Sequence, residues 1–263
     1  MQNNTLKALI FDIDGTLADT ERDGHRVAFN QAFDEAGLNW HWDVELYGRL
    51  LAVTGGRERM MHYHQQYNHG PLPATDGAAF FVGLHQAKNR HYAALMAGGQ
   101  IALRPGIRRL LHQARHEGLR LVIATTTTRS NVTVLLEHTL GAESIDWFEV
   151  IATADEVPDK KPSPAVYHYV LQQLGLTAHH CLALEDSSNG LVAARAAGLR
   201  TLVTINDYTA GSDFSGAWLI VDQLGEPGSP GTVRGGEVSG VAGHHVVVDV
   251  PLLRRLLVLE QSR

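Results

Sequence analysis

The stretch Leu9-Ile10-Phe11-Asp12-Ile13-Asp14-Gly15-Thr16-Leu17 decides the fold. A short apolar run stops at two carboxylates spaced two residues apart, and Gly-Thr follows. Inside a strand, side chains alternate between faces. Beyond the strand end a loop can turn Asp12 and Asp14 into one site. Two carboxylates held together are costly unless a cation neutralises them or one carries a proton. A hard cation such as Mg2+ suits them, with one carboxylate as nucleophile and a neighbour as acid/base. Taken alone, the same residues also fit a polar turn after a strand.

Outward from this run, short apolar segments alternate with helical patterns, which predicts an α/β fold built on a mostly parallel sheet. The expected strands are Ala8–Phe11, 119–124, 149–152, 182–184, 201–204 and 218–221. Several are almost continuously apolar, as strands covered by helices on both faces must be. Residues 104–116 read as an amphipathic helix after Pro105, with Ile107, Leu110, Leu111 and Ala114 on one face. Residues 188–198 read as a small-residue helix. Residues 20–99 contain helical patterns over 27–36, 57–67 and 78–96 and no strand pattern. So long a first connection exceeds what a doubly wound sheet needs. It is expected to be an inserted helical module over the strand ends, giving a core of 1–19 and 100–263 and a helical domain of 20–99. Residues 225–243 hold seven Gly and two Pro and read as a flexible loop. An edge strand over 246–250 and a short helix over 252–259 follow.

The 263 residues, 44% of them hydrophobic, suffice for one large domain or a core plus a smaller one. A net charge of -6 and a pI near 6.2 leave no basic footprint for nucleic acid. The single cysteine, Cys181, excludes an internal disulfide and fits a reducing cytosol. No apolar run approaches the roughly 18 residues that span a membrane, and Met1-Gln2-Asn3-Asn4-Thr5 has no signal-peptide pattern. A cytoplasmic protein is expected, a monomer or weak homo-oligomer, with no nucleic-acid or membrane partner. The fifteen His residues, His85 among them, show no metal-ligand spacing and read as surface or packing groups.

Three further segments place polar groups where strands end or helices start. Ile123-Ala124-Thr125-Thr126-Thr127-Thr128 runs a strand into hydroxyls, which can hold phosphate oxygens together with backbone N–H groups. Asp159-Lys160-Lys161-Pro162-Ser163-Pro164 precedes a helix, Ala165–Leu174, and offers a fixed positive charge for a transferring phosphoryl group. Cys181-Leu182-Ala183-Leu184-Glu185-Asp186-Ser187 ends another apolar strand in two carboxylates, natural metal ligands or helix-start acids. Singly, each has an ordinary explanation. In this order, at the carboxyl ends of strands in one sheet, they point to phosphoryl chemistry.

The four segments, D-x-D-G-T, strand-Thr, K-P-x-P and L-E-D-S-x-x-G, resemble the motifs of the haloacid-dehalogenase superfamily over nearly the whole chain. Residues 20–99 resemble the helical cap of its β-phosphoglucomutase-like branch. The resemblance implies that Asp12 forms an aspartyl-phosphate and that Asp14 protonates the leaving group and then activates water. It implies that Thr125 and Lys161 bind phosphate. It places Mg2+ on Asp12, the Asp14 main-chain carbonyl and Asp186, with Glu185 nearby. Dehalogenases and phosphonatases of the family typically lack the second Asp, so Asp14 favours a phosphatase or phosphomutase; an alcohol leaving group needs a general acid.

In the helical module, Gly55-Gly56 permit close backbone approach and Arg57 offers a fork to a second phosphate or carboxylate. Together with the Ala-Thr-Thr-Thr segment and Asn131-Val132, the run Thr54-Gly55-Gly56-Arg57-Glu58-Arg59 resembles the CbbY-type branch. That branch is associated with carbon-fixation operons and hydrolyses xylulose 1,5-bisphosphate, a small sugar bisphosphate. The resemblance adds Glu21, His25, Thr126 and Arg129 as substrate contacts beside Thr54, Gly55, Gly56 and Arg57. A phosphosugar mutase of the same fold and a non-catalytic phosphosugar-binding regulator remain as alternative expectations.

Overall fold

A computed structural model describes residues 5–53, 55–73, 76–238 and 243–261. The chain divides into two compact units. One comprises Met1–Asp19 and Ala102–Arg263, the other Thr20–Ile101.

In chain order, β1 (Ala8–Phe11) precedes a π-helical turn, Glu21–His25, and the helices α1 (Arg26–Glu35), α2 (Val44–Leu50), α3 (Gly56–Gln66) and α4 (Gly77–Ala97). Then come α5 (Ile107–His116), β2 (Arg120–Ala124), α6 (Arg129–Leu140), β3 (Phe148–Ala152), α7 (Ala165–Leu174) and β4 (Cys181–Glu185). The chain continues through α8 (Ser188–Ala196), β5 (Arg200–Thr204), β6 (Leu219–Val221), β7 (Gly231–Gly235), β8 (His245–Val246) and α9 (Val250–Gln261).

The strands form one sheet in the order β3-β2-β1-β4-β5-β6-β7-β8. Neighbours from β3 to β6 pair in parallel. The expected α/β architecture is therefore observed. Ala8, Ile10, Val122, Ala124 and Ala183 line one sheet face, where Val166, Tyr167 and Val170 of α7 and Ala193 and Ala194 of α8 pack on them. Alanines on strand and helix let α8 approach closely, which is why this helix carries small residues. Residue Ile107 opens α5 because Gly106 adopts φ 86°. Arg104 therefore stands outside the helix that the sequence pattern assigned to it. Ile107, Leu110, Leu111 and Ala114 are buried, as their spacing requires.

Residues 225–243 depart from the expected loop. β7 runs through them and pairs antiparallel with β6, and β8 pairs antiparallel with β7. Here glycine serves close approach: a Cβ on Gly236 would lie 2.7 Å from the Leu219 Cα and the Trp218 carbonyl oxygen. The expected edge strand over 246–250 shrinks to His245–Val246, because the chain enters α9 at Val250. Residues 239–242 lie outside the described residues.

Each secondary-structure element among the described residues of the second unit is a helix, and α2 is one that the sequence pattern did not predict. Trp42 anchors its core against Phe29, Phe33, Tyr47 and Tyr63 at centroid distances of 4.7–5.8 Å. Asn30 brackets the Trp42 backbone: its Nδ2 donates to Trp42 O at 2.9 Å, and its Oδ1 accepts from Trp42 N at 2.8 Å. Among the described residues no helix is long and apolar enough to cross a membrane.

Candidate active site

The chain leaves β1 for β2 and β3 on one side, then returns to place β4, β5 and β6 on the other. A crevice opens at such a reversal, beyond the carboxyl ends of the strands. Phe11 pairs with Ile123 of β2 and with Leu184 of β4. The next residues, Asp12, Ala124 and Glu185, therefore stand side by side at the reversal point.

Lys161 gathers them. Its Nζ donates to Asp12 Oδ1 at 2.7 Å, Glu185 Oε1 at 2.6 Å and Ala124 O at 2.9 Å. The Tyr167 hydroxyl also donates to Glu185 Oε1. Asp186 Oδ2 accepts from Asn206 Nδ2 at 2.8 Å. Asp12, Lys161, Glu185 and Asp186 are all buried. Burial pushes the Asp12 carboxyl up to about 7 against the pull of Lys161, and Glu185 and Asp14 add to the push. Burial, then Asp12 and Glu185, lift Asp186 well above the carboxylate range. Burial opposes the Lys161 charge, but Asp12 and Glu185 outweigh it and hold the ammonium above its usual range.

These groups fit a divalent cation. One carboxylate oxygen each from Asp12, Glu185 and Asp186 lies within 4.8 Å of the others. When all three carboxyls are ionised they face one ammonium, and two negative charges remain for a cation to balance. Glu185 Oε2 is buried with no hydrogen-bond partner, and the all-oxygen donor set suits Mg2+.

The flanking backbone is shaped around the carboxylates. Gly15 adopts φ 85°, and a Cβ there would sit 2.1 Å from Asp186 Oδ2. A Cβ on Gly190, in the first turn of α8, would sit 1.9 Å from Glu185 Oε2. Ser187 caps that helix by accepting from Gly190 N at 3.1 Å. Asp14 is half-buried in the turn where Gly15 N donates to Ala18 O at 2.8 Å. Thr125 is buried one residue past β2, and its Oγ1 accepts from Thr127 N at 3.3 Å. Thr126 is half-buried beside it. Arg129 turns to the end of β3, where its Nη2 donates to Ile151 O at 2.7 Å and to Glu156 Oε1 at 2.8 Å.

Within the helical unit, Glu21 accepts from the Tyr47 hydroxyl, which accepts from Arg59 Nη1 at 2.9 Å. Lys88 Nζ lies 2.6 Å from His25 Nδ1, and His25 stacks on Tyr92 at 4.1 Å. Gly55 adopts φ 100° just before α3. A Cβ on Gly56 would lie 2.9 Å from His85 Nε2. Burial, reinforced by Lys88, lowers His85 to about 4, so it is neutral at pH 7. Arg57 is exposed, and its Nη2 donates to Glu58 Oε1 at 3.1 Å. Thr54 lies outside the described residues.

Sequence reasoning missed Tyr167, Asn206, Tyr47 and Lys88, and it gave Arg59, the last residue of the run beginning at Thr54, no role of its own. Asn206 left a signal: it stands two residues past β5, a polar residue beyond a strand end, as Asp12 stands one residue past β1. The others sit inside helices, where nothing in the pattern separates them from packing residues.

The raised carboxyls fix the sign of a pH effect. With a folded value of about 7 against an ordinary 3.8 for Asp12, the folded chain binds more protons than the unfolded one across that interval. Metal-free stability should fall as pH rises through it. Mg2+ binds the ionised cluster in competition with protons. Calorimetry in chelator and in Mg2+ should therefore show a larger rise in Tm at about pH 8 than at about pH 5. Equal rises would place the cation elsewhere.

Residues 6–198 match the model of the haloacid dehalogenase-like hydrolases. The chain is 49% identical to the CbbY protein of Cupriavidus necator over 225 residues, 86% of this chain and 88% of that one. It is 51% identical to CbbY of Rhodobacter capsulatus over 218 residues, 82% and 93% of the two chains. A crystal structure of a CbbY mutant from Rhodobacter sphaeroides in complex with xylulose-(1,5)bisphosphate superimposes with a TM-score of 0.76 at 41% identity, covering 90% of this chain and 100% of that one.

Proposed function

The chain belongs to the haloacid dehalogenase-like hydrolase family and is a phosphatase, and on that premise we propose that it is a Mg2+-dependent sugar-phosphate phosphatase acting through an aspartyl-phosphate, with xylulose 1,5-bisphosphate as its substrate. The observation that carries this reading is the buried Asp12–Lys161–Glu185–Asp186 cluster at the strand reversal. The choice of substrate is supported by the likeness to the CbbY mutant structure in complex with xylulose-(1,5)bisphosphate.

A carboxylate oxygen of Asp12 attacks phosphorus as the bond to the sugar oxygen breaks. Asp14 gives that oxygen its proton. The resulting Asp14 carboxylate takes a proton from water, whose oxygen attacks the aspartyl-phosphate and releases inorganic phosphate. Lys161 and the Thr125 hydroxyl hold phosphoryl oxygens beside Asp12, and preorganised donors there stabilise charge as it develops. Asp12, Asp186 and the Asp14 main-chain carbonyl, with Glu185 beside them, would hold Mg2+, which when bound neutralises charge on the phosphoryl group.

The helical unit supplies recognition. Glu21 and His25 bind sugar hydroxyls, Glu21 held by Tyr47 and Arg59 and His25 by Lys88. The Gly55-Gly56 backbone and Arg57 take the second phosphate. Arg57 is about half exposed and its pair with Glu58 is a surface pair, so little is lost in exchanging that partner for a phosphate. The neutral His85 beside Gly56 leaves the positive charge there to Arg57 and Lys88.

The test is phosphate release from xylulose 1,5-bisphosphate with Mg2+. Isomerisation of glucose 1-phosphate without phosphate release would instead mark a mutase. Arg57→Ala should raise KM for the bisphosphate about 10- to 100-fold, the worth of a charge-assisted bond. KM for a monophosphate should barely change. Equal rises for both would remove Arg57 from the second phosphate.

A further inference from the structure

Arg104 stands two residues past the return into the sheet-bearing unit and is 8% exposed. Its main-chain N donates to Leu17 O at 2.8 Å. Its Nη1 donates to Gly15 O, to Thr204 O at 3.0 Å and to Thr204 Oγ1 at 3.1 Å. Its Nη2 donates to Ile205 O at 2.6 Å and Asp222 O at 3.0 Å, and its Nε lies 3.4 Å from Asp19 Oδ1. One guanidinium thus joins three segments: the turn after Asp14, the end of β5 and the end of β6.

Two of its acceptors sit next to the chemistry. Gly15 O belongs to the peptide unit that joins Gly15 to Thr16, one residue past Asp14. Ile205 O belongs to the peptide unit that leads into Asn206, whose side chain holds Asp186. The two segments also touch directly: a Cβ on Gly15 would meet Asp186 Oδ2 at 2.1 Å and Asn206 Nδ2 at 2.9 Å. The Asp14 turn is closed by backbone bonds from Gly15 N to Ala18 O at 2.8 Å and from Leu17 N to Ile13 O at 2.9 Å, and the rigid, multidentate guanidinium of Arg104 ties that turn to the ends of β5 and β6.

We propose that Arg104 is a positioning residue that holds the Asp14 turn in register with the Asp12–Glu185–Asp186 cluster, so that the Asp14 proton reaches the leaving oxygen. The inference rests on the reading of Asp14 as proton donor. A residue acting this way has a signature that mere scaffolding lacks. A sugar oxygen leaves only with a proton, whereas p-nitrophenolate leaves as an anion. Misplacing Asp14 therefore slows formation of the aspartyl-phosphate from a sugar phosphate and spares its formation from p-nitrophenyl phosphate, whereas hydrolysis of the aspartyl-phosphate, in which Asp14 acts as base, slows alike for both.

The experiment measures the first half-reaction alone, release of the sugar or of p-nitrophenolate in a single turnover with enzyme in excess, for wild type, Arg104→Gln and Asp14→Asn, each with saturating Mg2+, on a sugar phosphate and on p-nitrophenyl phosphate. Arg104→Gln should lower the single-turnover rate of leaving-group release from the sugar phosphate roughly 30- to 100-fold, inside the range of general-acid catalysis, and change that rate for p-nitrophenyl phosphate less than about 3-fold. Asp14→Asn should show the same selectivity, enlarged. Arg104→Lys keeps the charge and reaches fewer carbonyls, so it should fall between wild type and Arg104→Gln. If Arg104→Gln does not fold, Arg104→Lys decides alone. Equal losses on both substrates, or none on either, overturn the proposal. If Asp14→Asn itself lacks the selectivity, the proton-donor reading fails and the positioning role falls with it.

Discussion

Asp12→Asn should abolish phosphate release while making the metal-free protein more stable, not less. As nucleophile, Asp12 has no substitute, and losing such a group costs roughly 10^4-fold or more. The stability effect follows from the charge count. Three buried carboxylates share one ammonium, and burial has already raised Asp12 to about 7. Asn keeps the shape and the oxygen that accepts from Lys161, and it removes one negative charge. At pH 8 in chelator, Tm should rise relative to wild type. In Mg2+ the gap should close or reverse, because wild type gains more from the cation. A site that is strained in isolation and settled by its ligand trades stability for function. Residual activity that grows on storage would mark deamidation back to Asp, which mass spectrometry detects. Full activity of verified Asp12→Asn would remove the aspartyl-phosphate mechanism.

The sheet was legible because its strands obey one rule. A strand covered on both faces must be apolar along its length, so β1 to β6 stood out, and the polar residues that end them stood out by contrast. Asp12, Thr125, Glu185 and Asp186 were visible as exceptions to apolar runs, and Lys161 by its Pro-flanked setting. The hairpin of β7 and β8 was illegible for the opposite reason. Its glycines mimic a flexible loop, and only the adjacent β6 backbone reveals that they permit contact. Arg104 was hidden by Pro105, which looks like a helix start. The positive φ of Gly106 that delays the helix is not written in the pattern. Partners such as Tyr167 and Asn206 belong to the site through distances closed by the tertiary fold, and no local spacing encodes those. In the helical unit, Trp42 and Asn30 organise the core through contacts 12 residues apart, beyond the reach of helical periodicity.

Lys161→Met should destroy both activity and stability, and the contrast with Asp12→Asn tests the charge argument itself. Met matches the volume of the lysine stem, so packing changes little. What disappears is the only ammonium bonded to Asp12 and Glu185 among the described residues. Removing one partner of a buried ionic cluster leaves uncompensated charge and costs about 3–5 kcal/mol, or on the order of 10 °C in Tm for a domain of this size. Ala124 O also loses its donor, and Glu185 Oε1 keeps only Tyr167. Mg2+ should restore part of the stability, since it brings positive charge to the same carboxylates. It should not restore activity, because the donor beside Asp12 is gone, and kcat should stay down by about 10^3-fold. The decisive measurement is the double variant. If excess negative charge is what destabilises Lys161→Met, adding Asp12→Asn should recover stability by more than Asp12→Asn gains alone, a coupling of about 0.5–3 kcal/mol. Strict additivity would mean that the lysine acts by filling space, and the case for a cation balancing the remaining charge would lose its basis.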